Sequence, residues 1–538
     1  MDNNTNAPNR NVSGFKVYDR RYVGSKETLA YLLNDFSNAF NIGQFTDRYI
    51  WDVVKIDFKT NAFVSMLTGI WDVINDPLIA ALVDKTRTRW GKFRPYLLTF
   101  QIPMTLIGAF YWLIPFFFPG ASSTYLPKLI YYFAFNVINE TGGTFTSIAK
   151  AGYMTTITPH PNDRARLITM AELLTGYMGE DMPNYIMGVL LDLINNGVLK
   201  WKLQNVFLAM GLGTSIISSA FTLYFFIASK ERVMQSIEAP SVKQGLKAVI
   251  NNYPVLLITV SDFLGGFSVS GSNTNYFIDV LGSASLLTIA NIPSGLNGSI
   301  SYAFVKPIRE KFSSKTIWVF EDLYTRFWYL LLFAIGSLGK NFKKPLLMTI
   351  LFGVQAWFDK WAFGIRKVVK AELYNEAMDY CEWKNGYRVE ATIGVARNLI
   401  TKLQNIVMTS AKSLILDAIG YKQGLTIGTQ NDKTKWWLFA LCTGIPQLTG
   451  ILAVIPKFLY PLSGKLREQM YSELLARRKE ASLAASDGDL SSIKEIEEKG
   501  NEASAKENET CQTLYLVREA LARGVKFLNV DLKKSDAT

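Results

Sequence analysis

Long apolar runs recur along this chain, separated by short polar blocks. YLLTFQIPMTLIGAFYWLIPFFF (96–118) and WWLFALCTGIPQLTGILAVIPKFLY (436–460) are two of them. Each exceeds the roughly 20 residues that a helix needs to cross a hydrocarbon core about 30 Å thick. The pattern predicts spans over 27–50, 60–84, 95–118, 125–156, 167–195 and 203–228. After a charged connection, KERVMQSIEAPSVKQGLK, it predicts six more, over 253–280, 284–306, 316–337, 345–368, 391–418 and 436–461. Six spans, a linker and six spans outline two six-helix bundles. The expected domains are a tail (1–26), a first bundle (27–229), a linker (230–252), a second bundle (253–462) and a helical tail (463–538).

The polar blocks orient these spans. Alternate loops are basic: TRTRWGKFR (86–94), DRAR (163–166), the central linker, IREKFSSK (308–315) and 366–388. KNFKK (340–344) is an exception on the other side. Lys and Arg accumulate in cytosolic loops, so both termini are expected in the cytosol of a cell-membrane protein. The first 25 residues are polar and lack the apolar region of a signal peptide. The stretch after 462 is charged and helix-forming, with a break at DGD (487–489).

Composition narrows the classes. The chain of 538 residues is 49% hydrophobic and only 19% charged, poorer in charge than a soluble enzyme. The net charge of +12 is expected from topology-setting loops rather than from nucleic-acid binding. His160 is the only histidine, and Cys381, Cys442 and Cys511 have no metal or disulfide spacing. Ser-His-Asp catalysis is therefore not expected, and the chain reads as no enzyme. The expected partners are the lipid bilayer and a small-molecule solute, with the protein a monomer and without a cofactor.

Ionisable side chains inside spans are costly, so they face cavities, pair with one another or carry function. This chain has many: Asp35, Asp72, Asp76, Glu140, Lys150, Glu172, Glu180, Asp181, Asp262, Glu321, Asp322, Asp359, Lys360, Arg397 and Lys402. Their number implies a hydrated central cavity. Asp72 and Asp76 stand at i and i+4, on one helix face one turn apart. Two carboxylates so close repel when both are ionised, which a monovalent cation or a proton relieves. Oxygen ligands suit a hard cation, and Asn75 and a hydroxyl from another helix can complete the shell. The alternative is that each Asp pairs with a base on a neighbouring helix. Lys402, in the middle of a mild helix, needs an anionic partner, which Asp35, Asp72 or Asp76 can supply. Glu140 and Lys150 are read either as pocket residues or as a structural pair.

WDVINDP (71–77) followed by DKTRTRWGKFRPY (84–96) resembles the glycoside–pentoside–hexuronide:cation symporters. MDYCEWKNGYRVEATIGVARNLITKL (378–403) and NDFSNAF (34–40) resemble the same family, so the likeness spans most of 27–462. It implies an all-α major facilitator fold with twelve transmembrane helices, working by alternating access. It also implies cation-coupled symport of a sugar, glycoside or related polar solute, with Na⁺, H⁺ or Li⁺ as the coupling cation. By the resemblance, Asp72, Asn75, Asp76 and Thr144 are the cation ligands, Lys402 stands near them, and Asp35 meets sugar hydroxyls.

The sugar pocket departs from the family. Ser147 and Ala151 stand where a galactoside carrier of the family has an acid and a stacking tryptophan, Glu172 where it has an arginine, and Asn34 where it has a lysine. The expected solute-facing set is Asn34, Asp35, Glu140, Ser147, Lys150, Glu172, Asn398 and Lys402. The resemblance further implies a cytosolic gate made by Asp84, Arg87, Arg89 and Arg94 against Glu382 and Arg388. Two alternatives remain: a carrier of a non-sugar organic solute or lipid-like amphiphile, and a membrane sensor signalling through the tail.

Overall fold

The computed structural model describes residues 23–486 except 87, 89, 159–165, 169, 172–173, 176–180, 232–246, 248 and 386–389. The described residues are helical and contain no strand, only an isolated bridge between Thr88 and Gly91. The first-half helices are α1 (Ser25–Ala39), α2 (Phe58–Lys85), α3 (Gln101–Trp112), α4 (Leu126–Thr156), α5 (Asp181–Asn195) and α6 (Leu203–Ala228). Those of the second half are α7 (Tyr253–Gly266), α8 (Ser285–Ser301), α9 (Ser314–Ser337), α10 (Pro345–Trp361), α11 (Glu390–Ala418) and α12 (Asp432–Cys442).

Several spans expected to be continuous are broken. Beyond α1 the chain turns at Phe40–Ile42 and resumes through Thr46–Arg48 into a π-helical turn, Tyr49–Val54. That turn stops at Lys55, whose φ of 57° is left-handed. Beyond α7 the helix is lost over Phe267–Ser272 and resumes as Asn273–Asp279. The expected span 345–368 breaks at Ala362, and the following helix, Phe363–Asn385, continues well past the expected end. The tail helix Lys465–Ser486 packs against it. The rest of the expected tail lies outside the described residues.

By length and apolarity alone, α2 and α6 qualify as membrane spans, with one bent pair (44°) formed by α12 and Gly444–Leu459. The expected twelve spans are not recovered by that criterion, because breaks and ionisable side chains interrupt many of the other helices. Large apolar side chains such as Phe63, Leu78, Leu82, Ile227 and Leu346 are exposed on the exterior. Such a surface fits lipid rather than water.

Packing distinguishes the two ends of the molecule. One apolar core joins both halves, bringing Tyr49, Trp51, Tyr111 and Phe207 together with Tyr276, Phe277, Leu416 and Tyr421. At the other end the apolar side chains form two separate cores. One lies in the first half around Val83, Phe93, Tyr153 and Phe225, and the other in the second half around Val369, Leu373, Met378 and Tyr460. The halves are therefore welded at one end and individually packed at the other. The individually packed end is the one that carries the basic loops.

Candidate functional site

The site forms where α2 of the first half packs against α11 of the second. Asp57 caps α2 by accepting from the Lys59 and Thr60 amides at 3.1 and 3.4 Å, and the helix then runs unbroken through Pro77. Helical spacing puts Asp72, Asn75 and Asp76 on adjoining positions of one face. The Lys402 ammonium sits against both carboxylates, 2.7 Å from Asp72 Oδ2 and in closer contact with Asp76 Oδ2. On the other side of the acids, the Thr144 hydroxyl on α4 lies 3.1 Å from Asp76 Oδ1 and 3.5 Å from Asp72 Oδ1. One hydroxyl has one proton, so it donates to one carboxylate at a time.

Asn75 is buried and donates to the Thr141 hydroxyl at 3.5 Å, which also accepts from the Trp71 indole at 3.0 Å. The Asn75 carbonyl oxygen is buried without a hydrogen-bond partner. Two carboxylates and one ammonium leave the cluster one negative charge, and the Glu140 carboxyl on α4 lies within electrostatic reach of all three. An unspent acceptor, two carboxylates and a hydroxyl form a donor set suited to a hard monovalent cation. Both readings left open by the sequence meet here: the acids pair with a base, yet the set keeps negative charge and an idle oxygen.

A second polar cluster joins α1 to α4. Asp35 accepts from the Thr175 hydroxyl at 2.7 Å, and the Lys150 ammonium donates to the Asn38 side-chain oxygen, with Asp35 in electrostatic reach. Asn34 is buried, with its side-chain oxygen unpartnered. Glu140, Thr144 and Ser147 share one stripe of α4, at i, i+4 and i+7. Ser147 bonds back to the Thr144 carbonyl at 3.1 Å. Glu140 and Lys150 do not form the structural pair considered for them. Ten residues of helix set them about 15 Å apart along its axis, one in the acidic cluster and the other beside Asn38. Asn398 is exposed on α11. Glu172 lies outside the described residues.

Much of the gate expectation also falls outside them: Arg87, Arg89, Arg388 and the Asp84 side chain. Arg94 turns into its own half, donating to the Phe226 carbonyl at 2.6 Å and lying over the Phe226 ring at 4.8 Å. Glu231 holds this segment by accepting from the amides of Lys92, Phe93 and Arg94 at 2.7–2.9 Å. Glu382 is half-buried on Phe363–Asn385.

Other acids flagged as expensive are neutralised inside the second half. Asp262 meets Arg397 and Lys370, Glu321 and Asp359 share Arg366, and Asp322 meets Arg326 and Lys457. They are structural pairs, so the hydrated cavity expected from the number of charges needs fewer of them. Sequence reasoning missed a network at the welded end. Arg48 bonds Asp279 through both carboxylate oxygens at 2.9 and 2.7 Å, and also pairs with Asp52 at 2.8 Å. Tyr421 donates to the same Asp279 at 2.8 Å. Lys412 meets Asp47 at 2.7 Å. The available signal was that Arg48, Asp279 and Lys412 all fall inside expected spans.

The arrangement has the architecture of a solute carrier. The fold matches a crystal structure of a D-xylose–proton symporter with a TM-score of 0.51 at 12% identity, covering 81% of this chain and 96% of that one. It matches the partially occluded inward-open xylose transporter XylE from E. coli with a TM-score of 0.50 at 12% identity, with the same coverages. These likenesses define a major facilitator fold. In sequence, the family described as MFS/sugar transport protein matches residues 34–464, and the chain belongs to that family. Relatives include the uncharacterized symporter YjmB of Bacillus subtilis, 25% identical over 85% of this chain and 97% of the relative. The isoprimeverose transporter of Lactiplantibacillus pentosus is 24% identical over 75% and 82%. The glucuronide carrier protein homolog of Escherichia coli is 22% identical over 84% and 95%. The chain is a multi-pass cell-membrane transporter of the secondary active, symporter type, and not an enzyme.

Proposed function

We propose that this protein carries a sugar, glycoside or related polar solute together with a monovalent cation, Na⁺ or H⁺, by alternating access. Its twelve spans lie in two halves, both termini are cytosolic, and the protein acts as a monomer. The observation that carries the reading is Lys402, which reaches from the second half to rest between Asp72 and Asp76 of the first. The ammonium holds the position that the coupling cation takes. When Na⁺ binds, Asp72, Asp76, Thr144 and the idle Asn75 oxygen ligate it, and Lys402 is released. A proton on either Asp loosens the same pair. Exchange of a tethered cation for a free one thus changes how strongly α2 is tied to α11. Solute binds beside it, among Asp35, Asn34, Lys150, Glu140 and Ser147. The basic-loop end, with its halves packed separately, faces the cytosol. Coupling requires cation and solute each to raise the other's affinity by the same factor.

The test is a thermal-shift panel of sugars and glycosides on purified protein, with and without Na⁺ and at two pH values. Joint stabilisation by one sugar and one cation supports the reading, since a bound ligand stabilises in proportion to the logarithm of its concentration over Kd. Asp72→Asn and Asp76→Asn are expected to remove the cation's contribution. A cation effect unchanged in both variants overturns the site.

A further inference from the structure

The welded end contains a cavity of about 280 Å³ between the two halves, lined by both polar and apolar side chains. At about 30 Å³ per water it has room for roughly nine waters, enough for one pyranose ring with its hydroxyls. Asn61 and Ser413, which bond to each other across the halves at 3.2 Å, lie on its wall. Each stands eleven residues along its helix from the acidic cluster, Asn61 from Asp72 and Ser413 from Lys402. At about 1.5 Å per residue, both helices place the cavity about 16 Å from that cluster. It is a separate chamber on the line joining the two ends of the molecule.

Its lining is built for a ligand. Trp51 and Asn275 are each 2% exposed, and both border the cavity. The Trp51 indole N–H and the Asn275 side-chain oxygen are buried without partners. An unmade hydrogen bond at a buried group is costly, and here one idle donor stands on the first half and one idle acceptor on the second. The break in helix over Phe267–Ser272 opens onto the same chamber. Non-helical backbone at membrane depth persists where it is buried in protein or lines a polar cavity. Among the described residues the charged side chains on the wall are Asp47 and Lys412, which pair at 2.7 Å and cancel.

We infer that this chamber is a second solute site, binding one neutral sugar ring by its hydroxyls between Trp51 of the first half and Asn275 of the second. One hydroxyl accepts from the indole N–H and another donates to the amide oxygen. The paired Asp47 and Lys412 supply further acceptors and donors without selecting a charged solute. A sugar held there bridges the halves at the end opposite the basic loops, before or after it occupies the acidic cluster's neighbourhood. The inference rests on the proposed sugar-carrying function and adds a second stop to its path.

The experiment measures equilibrium binding of tritiated D-xylose, methyl β-D-glucoside and D-glucuronate to the full chain in lipid nanodiscs. An Asp35→Asn/Asp76→Asn variant disables the first site. It is expected to retain one saturable site per chain for a neutral sugar and none for D-glucuronate. Adding Trp51→Phe, Asn275→Leu or the cavity-filling Ser270→Phe is expected to weaken that site at least about tenfold. Without sugar, Trp51→Phe is expected to lower the melting temperature through the gap it leaves against Phe58 and Tyr421, so Asn275→Leu and Ser270→Phe are read beside it. If the Asp35/Asp76 variant binds no sugar while the unmodified chain binds one, the second site is overturned and the proposed function stands. If the unmodified chain binds one sugar that Trp51→Phe abolishes and the Asp35/Asp76 variant keeps, the second site stands and the first is overturned. If the unmodified chain binds D-glucuronate but no neutral sugar, the second site is overturned and the proposed function stands; if it binds none of the three, both are overturned.

Discussion

Two clusters tie the halves together, and they have the same inventory of charge: one base and two carboxylates. At the welded end Arg48 is 4% exposed and meets Asp279 and Asp52. At the acidic cluster Lys402 is 30% exposed and meets Asp72 and Asp76. The difference lies in the base and in its access to water. A guanidinium offers a rigid fork of donors that matches a carboxylate, and it stays charged. Dry and bonded through two oxygens, Arg48 holds this state closed at its end. An ammonium is a compact, well-hydrated point charge on a flexible stem. Lys402 is chemically closer to a free monovalent cation and has the water access that exchange requires. Equal charge thus gives a fixed latch in one place and a replaceable one in the other.

The comparison breaks most visibly at Asp279. Asp279→Ala leaves a buried guanidinium half-compensated and is expected to cost about 3–5 kcal/mol of stability, read by thermal or denaturant unfolding in detergent. A loss near that expected for an exposed pair would show that Arg48 is not a dry latch. Asp72→Asn and Asp76→Asn come next. They are expected to remove a cation–solute coupling of about 1–3 kcal/mol, seen as a roughly 5- to 150-fold cation effect on solute affinity. Because the cluster is hydrated, their melting temperatures are expected to change far less than that of Asp279→Ala. Lys402→Gln is expected to tighten Na⁺ binding by about tenfold, or ~1.4 kcal/mol, because it deletes the tethered competitor. Weaker Na⁺ binding in isothermal titration would make Lys402 a support for the site instead. The smallest effect is expected at Lys59–Asp417, a 3.7 Å pair with both partners exposed. Lys59→Ala is expected to cost at most ~1 kcal/mol, and less at high salt.

A pH effect separates the tail contact from both clusters. Burial raises the Glu376 pKa above the ordinary carboxylate range, opposed by Arg467 at 2.8 Å on the tail helix. One of its oxygens is buried without a partner. With a raised native pKa the folded state binds the proton more tightly. Stability is then greatest below the ordinary carboxylate range and declines as pH rises through and above it. Glu376→Gln is expected to flatten that decline in melting temperature between about pH 4 and 7. An unchanged slope would assign it to other groups.

Much of the fold was legible because it rests on local rules. Apolar runs longer than a bilayer's thickness predict helices wherever they fall, and α2, α4, α6 and α9 stand where the pattern places them. The breaks at Phe40–Ile42 and Phe267–Ser272 were not legible. They are stabilised by contacts from distant helices, such as the Gly271 amide donating to the Leu441 carbonyl at 2.8 Å. At the acidic cluster, the shared face of Asp72, Asn75 and Asp76 was readable from spacing, and Lys402 was readable as a base in need of an acid. Thr141 was missed, because a threonine facing inward looks the same in sequence as one facing lipid.

The sequence alone determined the apolar helices, the basic loops and the pair of acids one turn apart, because helix periodicity and the cost of charge in hydrocarbon act over a few residues. Tertiary structure decided which charges meet. Arg48 finds Asp279 across 231 residues, and Lys402 finds Asp76 across 326. Such pairings depend on how the two halves pack, and packing also determines that Arg48 sits dry while Lys402 remains open to water.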